Sequence, residues 1–158
     1  MQANFLSLVQ NRFRFNLFLL LKLPAAYFSG VRVVMLNETK CVATVPYKWF
    51  STNPFNSTYF ACLAMAAEMS TGVLALGNTY KRTPAVSMLV TGLQGNFFKK
   101  ATGVTTFTCE DGLAFAQIIN EVIATRSAAT FTSVSVGVNN QNEPVANFSI
   151  TWSFKCKA

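Results

Sequence analysis

The first apolar pattern along the chain has a helical period. Apolar residues recur at intervals of three and four between Phe5 and Leu21, which predicts one amphipathic helix over residues 1–23 that ends before Pro24. Such a helix either packs on the body of the fold or lies on a membrane surface, and packing is the favoured interpretation. The uninterrupted apolar run that starts at Leu17 and ends at Leu21 is too short for a typical signal peptide or for a membrane span.

The next apolar pattern alternates with a period of two. Residues 30–49 are rich in valine and are interrupted at Asn37, Glu38 and Thr39, so they predict a β-hairpin. Four further strands are predicted in VSMLVTGLQGNFFKKA, GVTTFTCE, ATFTSVSVGV and VANFSITWSFKCK, of which the last two are joined by the turn NNQNEP. The segment DGLAFAQIINEVIATR returns to helical spacing and predicts a helix before that final pair.

A long central helix is predicted over residues 58–76, where Ala, Met and Leu dominate, with its end near Gly77 or Asn78. The loop STNPFNSTY before it supplies Ser, Asn and Thr side chains that can cap the helix. Small residues lie on nearly every side of this helix, which favours close neighbours all around it. The order of elements predicts an α+β fold in one domain of residues 1–158, with a curved antiparallel sheet around the central helix and an extra N-terminal helix.

Composition narrows the classes of protein and of chemistry. Hydrophobic residues make up 51% of the chain, charged residues 12%, and there are 15 Phe, so we expect an oligomer that covers apolar surface. The chain has no His, which excludes Ser/His and Cys/His nucleophile pairs and removes the commonest metal ligand, so no metal site is expected. Its four Cys are widely spaced, which favours reduced, buried thiols and a cytoplasmic location.

The net charge of +7 favours an anionic partner, which is a nucleic acid, an anionic membrane surface or a phosphate-bearing small molecule. A nucleic-acid groove needs a contiguous basic track, and the basic residues here are scattered, so nucleic acid is disfavoured. Only two basic pairs interrupt the scatter, namely Lys81-Arg82 and Lys99-Lys100. These pairs are candidates for holding phosphate groups, although each residue taken singly is ordinary solvated surface.

The segment NPFNSTYFACLAMAAEMSTG contains an isolated carboxylate, Glu68, within an apolar stretch. It resembles a poorly characterised branch of the thioesterase-like hot-dog proteins, in which a bent antiparallel sheet wraps a central helix. Acyl-CoA thioesterases of this kind carry Asn-x-x-Gly-x-x-His-Gly-Gly followed by a carboxylate on the helix. The resemblance places the motif's Asn at Asn53 and its acid at Glu68. It places Asn56 at the loop Gly, Tyr59 at the His, and Phe60 and Ala61 at the Gly-Gly pair.

The resemblance implies that Glu68 is a general base or a nucleophile, and that the N–H groups of residues 57–61, from Ser57 to Ala61, polarise a thioester carbonyl. The structural alternative for Glu68 is a hydrogen bond that holds the loop, with Asn53 as a candidate partner. Tyr59 either donates a hydrogen bond to the carbonyl oxygen or packs through its ring. Asn53 either orients a water molecule or stabilises the loop. The substrate implied is an acyl-CoA whose phosphates the two basic pairs hold, with no other cofactor.

Tyr59 and Glu68 are nine residues apart, which is about half a turn out of phase on a helix. The resemblance implies a solution to this, namely a site at a two-fold interface in a homodimer or a dimer of dimers. The function implied is thioester hydrolysis, and the alternative is a non-catalytic hot-dog protein that binds an acyl ligand as a sensor or carrier.

Overall fold

The computed structural model describes residues 1 and 3–157, which form six strands and five α-helices in the described part of the chain. The strands are β1 (Arg32–Leu36), β2 (Cys41–Val45), β3 (Val86–Phe97), β4 (Thr105–Cys109), β5 (Ala129–Val138) and β6 (Pro144–Cys156). The helices are α1 (Ala3–Gln10), α2 (Arg12–Lys22), α3 (Pro24–Ser29), α4 (Phe60–Thr79) and α5 (Gly112–Thr125).

The six strands form one antiparallel sheet in the order β1-β2-β4-β5-β6-β3. Helix α4 contacts all six of them, so the sheet curves around this helix. The expected α+β architecture, a curved antiparallel sheet wrapped around a long central helix, is confirmed. The predicted hairpin over residues 30–49 corresponds to β1 and β2.

The close approach of α4 depends on small residues on the inner face of β5. Ser133, Ser135 and Gly137 are buried there in alternating positions. The hydroxyls of Ser135 and Ser70 on α4 are 2.8 Å apart and share a hydrogen bond. A side chain at Gly137 would collide with the ring of Phe107. The inner face of β5 therefore carries only small side chains at these three positions, which lets α4 pack close to the sheet.

Strand β3 forms one edge of the sheet. It pairs with β6 from Val86, opposite Cys156, to Phe97, opposite Ala146. Its other side has no neighbouring strand in the described part of the chain. Leu89, Leu93 and Phe97 are exposed along it. A long edge with apolar side chains is a ready template for pairing with a second strand.

The N-terminal region departs from the single helix predicted over residues 1–23. The helix is broken at Asn11, whose side-chain oxygen accepts a hydrogen bond from the Arg14 N–H at 3.1 Å and so begins α2. Pro24 begins a third helix. The buried side chains of α2 are Phe15 and Leu19, whereas the apolar positions that the predicted period selects in this helix are exposed, namely Phe13, Leu17, Leu20 and Leu21. Periodicity could not choose between these faces because both sides of RFRFNLFLLLK are apolar.

Helix α4 begins two residues later than predicted and ends three residues later. Gly77 does not end the helix. Its missing side chain instead lets Phe5 of α1 approach, because a β-carbon at Gly77 would lie 2.9 Å from the Phe5 ring. Asn78 also remains helical, and its amide donates to the Leu74 carbonyl at 2.9 Å. Helix α4 is long and apolar enough to cross a membrane, but 67% of its most apolar window is buried, as in the core helix of a folded domain.

Candidate active site

Glu68 lies in an apolar pocket between α4 and the edge of the sheet. The pocket has a volume of about 360 Å³, with walls from α2, α4, β3 and β6. Phe15 and Phe18 of α2 close one side, and Met88 of β3 and Trp152 of β6 close the other. A second cavity of about 230 Å³ lies under the junction of α2 and α3, and Glu68 lines it too. A ligand can therefore approach the carboxylate from two sides.

The Glu68 carboxyl has no polar partner among the described residues. No hydrogen bond or ion pair reaches it, and burial raises its pKa above the ordinary value of 4.5. Within one chain, Glu68 does not bond to Asn53, whose side-chain oxygen accepts hydrogen bonds inside the loop. The carboxyl is thus free to exchange protons with a ligand or a water molecule.

Three residues that the sequence analysis missed surround Glu68. Trp152 donates its indole N–H to the Thr71 hydroxyl at 3.1 Å, and that hydroxyl donates to the Glu68 carbonyl at 3.1 Å. Gly72, one turn after Glu68, leaves the space that the carboxyl occupies. The signal in the sequence was the four-residue spacing between an acid and a glycine within an apolar helix.

The loop before α4 is organised by Asn53. Its side-chain oxygen accepts hydrogen bonds from the Phe55 N–H at 2.9 Å, the Ser57 N–H at 3.3 Å and the Ser57 hydroxyl at 3.2 Å. Asn56 adopts a left-handed conformation with φ of 56°. Asn tolerates this conformation better than other residues with a side chain, so it can stand where the hot-dog motif has Gly.

The N-terminus of α4 has two unpaired N–H groups in the described part of the chain, those of Phe60 and Ala61. The prediction that a Ser, Asn or Thr side chain caps this helix is wrong, since the N-cap residue is Tyr59 and its side chain makes no cap. The Tyr59 carbonyl accepts the next two N–H groups, from Cys62 at 2.9 Å and Leu63 at 3.2 Å. The two open N–H groups carry the partial positive charge of the helix end.

A third pocket, which we call the loop pocket, lies at this helix end and has a volume of about 610 Å³. It brings together most of the residues predicted for the site. The predicted residues that line it are Asn53, Ser57, Tyr59, Phe60, Lys99 and Lys100. The Tyr59 ring packs edge-on against Phe60, with centroids 4.8 Å apart. The loop pocket and the Glu68 pocket share no lining residue, so one chain does not bring these groups to Glu68.

The two basic pairs lie at opposite ends of α4, a helix of 20 residues and about 30 Å. Lys99 forms an ion pair with Glu143 at 2.6 Å, and Lys100 donates to the Phe55 carbonyl at 3.2 Å. Lys81 lies over the Tyr80 ring, and Arg82 donates to the Asn120 side chain. A single chain therefore does not form one phosphate site from all four cations.

Metal ligands are not clustered in the described residues, where no group of three or more His, Cys, Asp or Glu side chains could hold an ion. The groups that the two pockets present are a carboxyl in an apolar environment and the open N–H groups of the helix end, which suit proton transfer and the polarisation of a carbonyl.

The family model described as Domain of unknown function (DUF4442) matches residues 13–154. The chain belongs to the DUF4442 family. No curated protein is significantly similar to it in sequence. The family match includes α2, whose inner side lines the Glu68 pocket, and extends to β6, which supplies Trp152.

Solved structures share the fold of this DUF4442 chain over nearly its whole length. A protein of unknown function from Pseudomonas aeruginosa, described as a probable thioesterase, has a TM-score of 0.73 at 17% identity and covers 99% of this chain and 97% of its own. A protein of unknown function from Chlorobaculum tepidum has a TM-score of 0.78 at 16% identity, with 98% and 100% covered. A thioesterase from Haemophilus influenzae has a TM-score of 0.63 at 12% identity, with 92% and 91% covered. The hot-dog fold is thereby confirmed.

Proposed function

We propose that this protein is a cytoplasmic homodimeric thioesterase that hydrolyses acyl-CoA or a related thioester. The observation that carries the proposal is the Glu68 carboxyl, which has no polar partner among the described residues, has a raised pKa and lies in an apolar pocket. Proteins of the same fold with thioesterase names support the reaction class. The four free cysteines fit a reducing compartment. No cofactor beyond the CoA of the substrate is needed.

The edge strand β3 supports a site shared between two subunits. Residues 88–90 of β3 line the Glu68 pocket, and its last residue, Phe97, lines the loop pocket. An antiparallel two-fold pairing centred on Leu93 would set Leu89 opposite Phe97 of the partner subunit. Each Glu68 pocket would then adjoin the loop pocket of the other subunit.

The reaction in such a site needs only groups of this chain. Glu68 takes a proton from a water molecule whose oxygen bonds to the thioester carbonyl carbon. The carbonyl electron pair moves to its oxygen, which the open N–H groups of Phe60 and Ala61 stabilise. The C–S bond then breaks, and Glu68 returns the proton to the leaving thiolate, which gives a carboxylic acid and a free thiol. In the nucleophilic variant, the Glu68 carboxylate bonds to the carbonyl carbon while the C–S bond breaks, and the leaving thiolate takes a proton from water. Water then hydrolyses the resulting anhydride, which releases the carboxylic acid and restores the Glu68 carboxylate.

The second candidate function is binding of an acyl ligand without turnover. It is favoured by Tyr59 and Phe60, which stand where the motif has His and Gly and narrow the mouth of the loop pocket. In that case the Glu68 pocket serves to hold an acyl chain in a sensor or carrier.

The deciding experiment follows release of free CoA chromatographically from acyl-CoA thioesters, from acetyl to long-chain and aromatic. We expect release from the wild type and loss of at least a hundredfold in Glu68→Gln, because an amide cannot accept the proton. Glu121→Gln, an exposed change on α5, is the matched control. Full turnover by Glu68→Gln would exclude Glu68 as the base, and saturable acyl-CoA binding without release would favour the carrier.

Subunit mixing tests the shared site. Asn53→Ala, which disrupts the loop pocket, is mixed with Glu68→Gln after both are dissociated. In a shared site, each mixed dimer has one intact site out of two, and half of the dimers are mixed, so turnover recovers to about a quarter of wild type. No recovery in verified mixed dimers would place the whole site within one chain.

A further inference from the structure

The outward side of α2 carries an apolar stripe that the fold does not use. The stripe consists of Phe13, Leu17, Leu20 and Leu21, all exposed, with Phe13 79% and Leu21 69% exposed. At about 100° per residue, these four side chains lie within about 100° of arc, nearly opposite the buried pair Phe15 and Leu19. Helix α2 is therefore apolar on two opposite sides, and only the inner one packs on the core.

The chain segment that carries this stripe has only basic charges. The first 37 residues contain four basic side chains and no acidic one. Arg12, Arg14 and Lys22 belong to α2 itself and are exposed. Within the described part of the chain, none of these three forms an ion pair with a carboxylate. At about 100° per residue, Arg14 lies beside Leu21 at one rim of the stripe, whereas Arg12 and Lys22 lie farther round the helix and line other cavities. A partner that covers the stripe therefore meets Arg14 along with apolar side chains and meets no carboxylate of this segment.

We propose that the outward stripe of α2 docks on an anionic phospholipid membrane surface. An interfacial helix inserts apolar side chains below the headgroups while nearby Arg and Lys meet lipid phosphates, and α2 has the apolar stripe, Arg14 at its rim and an exposed cation at each end of the helix. A second copy of this chain fits less well, because two α2 helices packed through their stripes would bring the two Arg14 side chains near one another with no carboxylate of residues 1–37 between them.

Docking in this orientation places the Glu68 pocket beside the membrane. The inner side of α2 supplies Phe15 and Phe18 to the wall of that pocket. A helix is about 10 Å across, so the pocket lies about one helix diameter from the lipid surface. The proposal concerns binding alone and does not depend on hydrolysis of any thioester.

The test is sedimentation of the full chain with vesicles of phosphatidylcholine, either alone or with one quarter phosphatidylglycerol. We expect the protein to bind the anionic vesicles. This binding should weaken in about 0.5 M salt, because salt screens the attraction between the cations and the lipid phosphates. Phe13→Ser and Leu21→Ser should each weaken the partition constant about tenfold, since each removes a buried apolar side chain from the lipid. Leu113→Ser, which changes a side chain 65% exposed on α5, is the matched control and should leave binding unchanged.

Charge is tested with Arg12→Gln/Arg14→Gln/Lys22→Gln, compared with Arg126→Gln/Lys155→Gln/Lys157→Gln, which removes as many exposed cations elsewhere. Only the first triple variant should abolish the preference for anionic vesicles. Equal binding to neutral and anionic vesicles, or no binding to either, would overturn the proposal. So would a fall in the mass measured by light scattering for Leu21→Ser without any change in vesicle binding, because a second copy would then cover the stripe.

Discussion

The carboxyl of Glu68 occupies the space that a side chain at Gly72 would fill. A β-carbon built on Gly72 would lie 2.7 Å from Glu68 Oε1 and 3.1 Å from the Trp152 ring. The ring cannot easily retreat, because its N–H is bonded to Thr71. Glycine within a helix costs about 1 kcal/mol relative to alanine, and here it leaves room for both the acid and the indole.

Gly72→Ala is therefore expected to lower turnover while it leaves the free energy of unfolding nearly unchanged. The gain in helix propensity and the crowding of Trp152 oppose each other, so the free energy of unfolding should change by less than about 1 kcal/mol. The Glu68 carboxyl, being the flexible neighbour, should move, and release of CoA should fall about tenfold or more. Urea unfolding and the thioester assay measure the two effects.

Gly103→Ala is the control for this change, because nothing lies within 4 Å of a β-carbon built there. It should alter neither quantity by more than experimental error. Unchanged turnover in Gly72→Ala would mean that the position of the Glu68 carboxyl does not limit the reaction.

The raised pKa of Glu68 predicts a specific dependence of stability on pH. Burial raises the pKa in the folded state above the ordinary value of 4.5. Between these two values the folded state keeps a proton that the unfolded state has released. The stabilisation is therefore fully present below pH 4.5 and is lost as pH rises through the folded pKa.

Glu68→Gln removes this dependence, since the amide stays neutral. Urea unfolding at a series of pH values should show the variant gaining stability over the wild type as pH rises above 4.5, with a constant difference above the folded pKa. The rise of kcat/KM with pH in the wild type should follow the same pKa. A difference in stability that is flat across this range would contradict a raised pKa.

The sequence predicted the sheet, the hairpin and the isolated acid, because each has a local signature in its own segment. It did not predict which side of α2 faces the core. Leu19 and Leu21 are equally apolar, and only the packing of α2 on the rest of the fold distinguishes them. The pairs Lys81-Arg82 and Lys99-Lys100 suggested one phosphate site, yet they lie at opposite ends of α4. Distances across the fold depend on how strands and helices pack, and no local pattern records them.

The position of the motif's loop glycine shows which structural features the resemblance predicts. Asn56 replaces it and still adopts φ of 56°, so the backbone of the loop survives the change of residue. The same argument does not extend to Tyr59 in place of His, because the backbone does not fix where the longer side chain places its hydroxyl, and here its ring packs edge-on against Phe60. The loop conformation was therefore predictable, and the position of the hydrogen-bond donor was not.

The thiols are expected to differ sharply in reactivity. Cys41 and Cys109 face each other across β2 and β4, and burial raises the pKa of both, to about 12 for Cys109. Cys62 is also buried, and only Cys156 is partly exposed. An aromatic disulfide reagent at pH 8 should titrate one thiol in the native protein and four after denaturation.

Cys156→Ser should lower the native count to zero without changing the count of buried thiols, which provides the control. Rapid modification of Cys41 or Cys109 in the native state would contradict the packing of β2 against β4.

Asn53 is expected to act by shaping the loop, because its side-chain oxygen accepts three hydrogen bonds from residues 55 and 57. Asn53→Asp keeps an acceptor at that position and adds a negative charge near the N-terminus of α4, which is favourable. We expect its free energy of unfolding to stay close to that of wild type and its rate of CoA release to stay within about twofold of wild type. Asn53→Ala removes the acceptor and should cost roughly 1–2 kcal/mol of unfolding free energy together with most of the turnover.

Asn139 offers a matched control for this last change. Its side-chain oxygen accepts from the Gln141 and Glu143 N–H groups in a similar turn between β5 and β6. Asn139→Ala should lose a comparable amount of stability and keep its turnover, because that turn lines neither the Glu68 pocket nor the loop pocket. If Asn53→Asp instead folds normally but releases no CoA, shaping of the loop does not account for the role of Asn53, and either the lost amide N–H or the added charge acts on the developing oxyanion.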